Sequence, residues 1–319
     1  MRLALLGFGN IGRALARLLE SRRAAFPFQI VGIHTARHGT ALDPAGLSAD
    51  PLFGPAAASV AEFLDRAGAE VLVELTPLDP VSGEPAISHI RAAFARRMHV
   101  VTANKGPIAH AYAGLRDEAE RTGVLFRFEA TCMDGAPVYN MVRRTLPGVQ
   151  ILGFTGVLNS TTQVVIEAMR QGRSMQDGID AARRLGITEA DAAYDIDGWD
   201  SAAKTAALAN VLLDARTTPQ QVNTHGIGRL SPEKLMELAA RRKTVRLVSR
   251  ARRTPGGVRL RVRAEVLDET DILASLQGTS NLLLFHTDLM GTVGTVSISP
   301  GVDQTAYGVF SDLAEIWRA

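Results

Sequence analysis

Between Gly186 and Asn210 the chain reads GITEADAAYDIDGWDSAAKTAALAN. Glu189, Asp191, Asp195, Asp197 and Asp200 crowd into this stretch, followed by a single cation, Lys204. Residues 201–213 (SAAKTAALANVLL) are apolar almost all round, which predicts a helix buried over most of its surface. A lysine seldom enters such a helix without a partner, and Asp200, four residues earlier, shares its face. On a solvated helix the pair would be a surface contact worth about 0.3–0.5 kcal/mol. Here the polar face is too narrow for that reading, and more carboxylates lie just upstream. A calcium loop fails, because it needs oxygen ligands at its first and last positions and glycine at the sixth. With Gly198 as that glycine, Ala193 falls first and Lys204 last. What remains is a set of carboxylates, Asp195 and Asp200 among them, suited to an ammonium group, beside a lysine that trades protons when partly desolvated.

Such a site needs a reaction partner, and the N-terminus offers one. Arg2–Leu6 is a short apolar run fit for a parallel strand buried on both faces. It feeds Gly7-Phe8-Gly9-Asn10-Ile11-Gly12 and then a helix with Ile11, Leu15, Leu18 and Leu19 at helical spacing. Strand, G-x-G-x-x-G and helix form a dinucleotide-binding fingerprint: Gly7 for the tight turn, Gly9 for close approach of a pyrophosphate, Gly12 for helix-on-strand packing. The helix N-terminus supplies amide donors. The alternative is a glycine turn that binds nothing. The next predicted strand, residues 28–33, ends where an NAD-selective site carries Asp or Glu for the ribose. This chain has His34-Thr35-Ala36-Arg37-His38-Gly39 instead. Arg37 is suited to a 2′-phosphate, because a guanidinium forks onto phosphate oxygens; NADP is therefore expected over NAD. Residues 40–58 read as a loop. The strand over 70–75 ends at Thr76, and the strand at 100–101 runs into Thr102-Ala103-Asn104-Lys105-Gly106, which places both at the ligand-binding edge of a parallel sheet.

Composition limits the remaining classes. The 319 residues suffice for two domains. With 35 basic and 33 acidic residues and no long like-charge run, nucleic-acid and membrane partners are not expected. One cysteine, Cys132, suits a reducing cytoplasm, and nothing reads as a targeting or membrane segment. The basic residues around TVRLVSRA and GVRLRVRAEVL fall on one face of alternating strands, which reads as a solvated face. Ser231-Pro232 reads as a helix start, and a last helix is expected over about 304–317.

Four segments, VVTANKGP, FEATCMDGAP, GVLNSTTQ and GITEADAAYDIDGWDSAAK, resemble homoserine dehydrogenase, in a short form with no room for the regulatory ACT domain or a fused aspartokinase. The resemblance implies reversible reduction of L-aspartate 4-semialdehyde to L-homoserine with NADP or NAD, on the route to threonine and methionine. It implies an α/β chain: a Rossmann-type dinucleotide-binding domain (1–130), an α+β substrate and dimerisation domain with a mixed sheet (131–300), and a C-terminal helix (301–319) returning to the first. Lys204 matches the family's acid/base lysine, Glu189 and Asp200 its substrate carboxylates, and Thr161 a substrate-loop threonine. Gly9–Gly12, Thr76 and Lys105 match cofactor positions, with Lys105 near cofactor and substrate alike. A homodimer is implied, as is a monovalent cation such as sodium on backbone carbonyls around Glu129, Cys132, Asp134 and Ala136. Departures from the family pattern stand at Ser160 (usually Gly), Ala192 (usually Pro), Gln163 (commonly Asn) and Asp303, which leaves the cofactor contact at Gly301 open.

Two other classes compete. One is a dinucleotide-binding sensor without turnover. The other is a different amino-acid or aldehyde dehydrogenase, with a changed small substrate; for an acylating mechanism Cys132 is the only thiol.

Overall fold

The structure, a computed structural model, describes residues 1–188 and 192–319. Glu189 and Asp191 thus lie outside the described residues. The chain divides into two compact units, Met1–Val142 with Gly301–Ala319, and Arg143–Pro300.

The first unit runs β1 (Arg2–Leu6), α1 (Asn10–Arg22), β2 (Gln29–Thr35), β3 (Gly39–Leu42), α2 (Val60–Ala67), β4 (Val71–Glu74), α3 (Ala86–Phe94), β5 (His99–Thr102), α4 (Lys105–Thr122) and β6 (Phe126–Arg127). Its sheet has the order β3-β2-β1-β4-β5-β6, all parallel except the β2–β3 hairpin. The chain reverses direction across the sheet between β1 and β4, the switch point where such sheets open a crevice beyond their carboxyl ends. Leu3, Leu5, Val71, Val73 and Val101 form the sheet's core with Leu15 and Leu19 of α1. The stretch 40–58, read as a loop, contains most of β3, since an edge strand in a two-strand turn carries too few apolar residues to show a period. Helix α4 begins earlier than its apolar period, at Lys105, because Asn104 caps it by accepting from the Gly106 amide (2.9 Å) and Pro107 is tolerated in a first turn. After β6 comes a 3-10 turn, Glu129–Thr131. Helix α5 (Tyr139–Thr145) follows.

The second unit runs β7 (Ile151–Val157), α6 (Ser160–Arg170), α7 (Met175–Arg184), α8 (Ala193–Ile196), α9 (Trp199–Leu213), β8 (Asn223–Thr224), α10 (Pro232–Ala240), β9 (Lys243–Thr254), β10 (Gly257–Asp268), β11 (Asn281–Thr287) and β12 (Thr292–Ser297). Its mixed sheet has the order β12-β11-β7-β9-β10-β8, antiparallel except for β10–β8. Helix α9 packs on β7, β9 and β10, and Ala202, Ala203, Ala206, Ala207, Leu208 and Ala209 are all buried, as a helix apolar all round requires. One expectation is corrected here. The arginines of β9 do not all lie on a solvated face: Arg246 is buried and Arg250 is half-buried in a bidentate pair with Glu265. The cause is the covering segment: the carbonyls of Ala274 and Leu276 accept from Arg246, at 3.2 and 2.9 Å.

The last helix, α11 (Val302–Arg318), belongs to the first unit and packs on α1. Phe310 stacks edge-on against Phe26 and Phe28, Glu315 pairs with Arg127 at 2.8 Å, and Asp312 accepts from the Glu129 amide at 2.7 Å.

Candidate active site

In the first unit the loops after β1, β2, β4 and β5 emerge from one edge of the sheet. The Gly7 amide donates to the His34 carbonyl (2.9 Å), the Leu75 amide to Leu6 (2.7 Å) and the Ala103 amide to Glu74 (3.2 Å). Gly7 has φ +89°, and a Cβ there would sit 2.5 Å from the Leu75 carbonyl oxygen, so only glycine makes this turn. Phe8 is buried beneath it. Gly9 caps α1, and nothing lies within 4 Å of where its Cβ would stand. Asn10, Ile11 and Gly12 form the first turn of α1, with Gly12 tight against Phe8 and the Gly7 carbonyl. An open, amide-lined helix start at a switch point fits a pyrophosphate.

Thr76, two residues beyond β4, is tied down by a group the sequence reading passed over. Glu74 is fully buried and accepts from the Thr76 amide (2.9 Å), the Thr76 hydroxyl and the Thr102 hydroxyl (2.8 Å). Burial raises its carboxyl above the ordinary range, against the pull of those donors. Asn104 spans the same two loops, donating to the Thr76 and Pro77 carbonyls (3.1 and 3.3 Å). Lys105 follows directly, half-buried, as the first residue of α4. Arg37 is exposed in the β2–β3 turn, where the Thr35 hydroxyl accepts from the His38 amide (2.8 Å). Gly301 is exposed at the cap of α11.

In the second unit Asp200 and Lys204 stand one turn apart on α9, Oδ2 to Nζ 3.1 Å, with side chains only 11% and 18% exposed. Such burial separates this pair from an ordinary surface contact. The Lys204 ammonium also donates to the Leu158 carbonyl (2.7 Å). Asp195, on α8, joins through Asn159, whose amide nitrogen donates to Asp195 (2.6 Å) and Asp200 (2.9 Å). The Asn159 carbonyl oxygen meanwhile caps α6 by accepting from the Thr162 amide (2.8 Å). Thr188 donates to the other Asp195 oxygen (3.0 Å), and the Thr161 hydroxyl, beside Asp195, reaches the Ile187 carbonyl (3.1 Å). Burial, then repulsion from Asp200, raises the Asp195 carboxyl above its ordinary value. Asn159 was missed as a functional residue, although an Asn before S-T-T is a legible helix cap.

The residues around Glu129 are organised differently. Its carboxylate accepts from the amides of Val138 (2.5 Å), Tyr139 (3.0 Å) and Asn140 (2.6 Å) at the start of α5, so the side chain serves the fold. Asp134, at φ +58°, accepts from Thr305 (3.2 Å), and the Ala136 amide donates to Met133 (3.0 Å). Among the described residues no cluster of three His, Cys, Asp or Glu side chains could hold a metal. Cys132 is buried, its sulfur 3.1 Å from the Tyr139 hydroxyl. A thiol so enclosed is a poor acylation nucleophile.

A parallel sheet with a glycine turn at its switch point, joined in one chain to a buried lysine–carboxylate cluster, defines a nicotinamide-dependent oxidoreductase. Residues 7–129 match the NAD-binding domain of homoserine dehydrogenase, and residues 137–314 match homoserine dehydrogenase itself. The chain belongs to the homoserine dehydrogenase family. It is 36% identical to an NAD(+)-dependent homoserine dehydrogenase of Pseudomonas canavaninivorans, over all of this chain and 96% of that protein. It is 33% identical to a homoserine dehydrogenase of Methanocaldococcus jannaschii, covering 100% and 99%. The Thermoplasma acidophilum homoserine dehydrogenase structure superposes with TM-score 0.87 at 26% identity, covering 100% and 99% of the two chains. A hyperthermophilic archaeal homoserine dehydrogenase in complex with NADPH gives 0.84 at 26% identity, covering 99% and 97%.

Proposed function

We propose that the chain interconverts L-homoserine and L-aspartate 4-semialdehyde through the residues assembled above. The observation that carries this assignment is the Asp200–Lys204 pair at 3.1 Å, fixed by Asn159 to a second carboxylate. When bound, the nicotinamide supplies or accepts the hydride. Lys204 holds its ammonium where the substrate oxygen gains charge and gives that oxygen its proton, then takes it back in the oxidative direction. Asp195 and Asp200, with Glu189 from outside the described residues, hold the substrate's ammonium and so orient the reacting carbon. Thr161 lines the same loop. Lys105 is assigned to the nicotinamide end of the crevice, with Gly7–Gly12 at the pyrophosphate and Thr76 between them.

Arg37, with no acidic residue beside it, favours NADP. Relatives are named for NAD(+) and seen with NADPH, so both cofactors belong in the test. We further assign the enzyme to threonine and methionine synthesis in the cytoplasm. The mixed sheet of the second unit is the proposed dimer surface, and the carbonyls of Glu129, Cys132, Asp134 and Ala136 a proposed sodium site. The deciding measurement is absorbance of the reduced nicotinamide with L-homoserine and either NADP or NAD. Turnover with homoserine, and none with related hydroxy-amino acids, is expected. Cofactor binding without turnover would favour a sensor.

A further inference from the structure

The loops that follow β4 and β5 in the first unit are joined by a closed ring of hydrogen bonds that starts and ends on Glu74. Glu74 and Thr102 are the last residues of their strands and stand opposite each other in the parallel register, so side chains take over here from the backbone ladder. One arm of the ring is direct: the Thr76 amide (2.9 Å) and the Thr76 hydroxyl both donate to Glu74 Oε1. The other arm crosses to β5. The Thr102 hydroxyl donates to Glu74 Oε2 (2.8 Å), and the Asn104 amide donates to that hydroxyl oxygen (2.9 Å). The Asn104 side chain closes the ring by donating to the Thr76 carbonyl (3.1 Å). It also caps α4 by accepting from the Gly106 amide (2.9 Å), so the ring fixes where α4 starts and where its first residue, Lys105, leaves the chain.

Along both arms the donors point toward Glu74, and only a group that accepts at two oxygens terminates both. Glu74, Thr102 and Asn104 are all buried, so water does not replace a lost link, and a donor left without its acceptor pays its full desolvation. A glutamine of the same shape accepts on one arm alone. Its nitrogen faces either the Thr76 amide, itself a donor, or the Thr102 hydroxyl, whose proton then loses its acceptor. We propose that Glu74 is a positioning residue of the cofactor crevice, which holds Thr76 and Lys105 in register with each other. It acts through them and not by contact, because its own side chain is fully buried. The proposal rests on the reading of this sheet edge as the nicotinamide end of the crevice.

The test uses the full chain without homoserine, titrated with NADPH and with NADH by fluorescence, alongside thermal melts of the unliganded protein. Glu74→Gln should raise Kd for the better-bound cofactor at least about ten-fold and shrink the rise in Tm which that cofactor produces. Its unliganded Tm should stay near the wild-type value, since shape and burial are kept; a purely structural glutamate would show the reverse, a lower Tm with Kd unmoved. Thr102→Val, which cuts the second arm, should weaken binding comparably, and Thr102→Ser, which keeps the hydroxyl, should restore most of the affinity. Glu74→Gln combined with Thr102→Val should cost little more than either alone, as two breaks in one ring require. Wild-type Kd in Glu74→Gln, equal losses for the valine and serine variants, or additive losses in the double variant would overturn the proposal. Should Glu74→Gln not fold, the valine and serine variants decide by the same criterion. Wild type that binds neither cofactor would instead remove the reading of the crevice, and the proposal with it.

Discussion

Lys204 Nζ stands 3.1 Å from Asp200 Oδ2, one helical turn back, and 2.7 Å from the Leu158 carbonyl oxygen. A cation held by Asp200 and the Leu158 carbonyl on a mostly buried helix cannot swing to solvent, so its ammonium has a set direction. Pre-aimed charge of this kind stabilises a developing alkoxide far better than a mobile lysine would.

Replacing Lys204 with alanine should therefore lower kcat by about 10²–10⁴-fold, the usual yield of a positioned proton donor. Cofactor affinity, read by fluorescence titration of the reduced nicotinamide, should be unchanged, since the pair sits in the second unit. Normal turnover by Lys204→Ala would remove it from the mechanism.

Asn159 carries two separable duties, and two variants distinguish them. Asn159→Ala loses the bridge to Asp195 and Asp200 and the cap on α6; the cap alone is worth about 1 kcal/mol. Asn159→Ser keeps a capping oxygen and lacks the two-pronged donor. The serine variant should melt near the wild-type temperature while KM for homoserine rises about ten-fold or more. A serine variant with wild-type KM would make Asn159 purely structural.

Asp195 gives a pH signature with a definite sign. Burial and Asp200 raise its folded pKa above the ordinary 3.8, so the folded state binds this proton more tightly than the unfolded chain. The stabilisation is fully present below the unfolded pKa and is lost as pH rises through the raised one. An ionised Asp195 thus costs the folded state stability, and Asp195→Asn, which carries no charge, should melt higher at neutral pH. The difference should vanish toward about pH 4, while kcat/KM for homoserine falls at neutral pH. Melts of both proteins across this range decide it; a lower neutral-pH Tm for the variant contradicts the sign.

Arg37 is exposed in the β2–β3 turn and enters no ion pair among the described residues. Arg37→Ala should raise KM for NADP by about ten-fold or more and leave KM for NAD nearly unchanged, as loss of a charge-assisted contact to one phosphate requires. An equal effect on both cofactors would refute its role as the discriminating residue.

What the sequence determined by itself is local. The strand, glycine turn and helix at residues 2–22 were legible because their signals lie within one element and its neighbour. The same holds for the shared face of Asp200 and Lys204, which needs only the pitch of one helix. The tertiary structure decided everything that joins distant segments. Asn159 reaches Asp195 and Asp200 across 36 and 41 residues, and Glu74 reaches Thr102 across 28, contacts that no periodicity encodes. Arg246 and Arg252 occupy alternate positions of the same β9 pattern, yet one is buried and the other exposed. Residues 274–278 supply the carbonyls that receive the first, and only the folded course of the chain brings them there. Periodicity fixes which side of a strand a residue takes; the order of strands and the path of covering segments decide whether that side meets water.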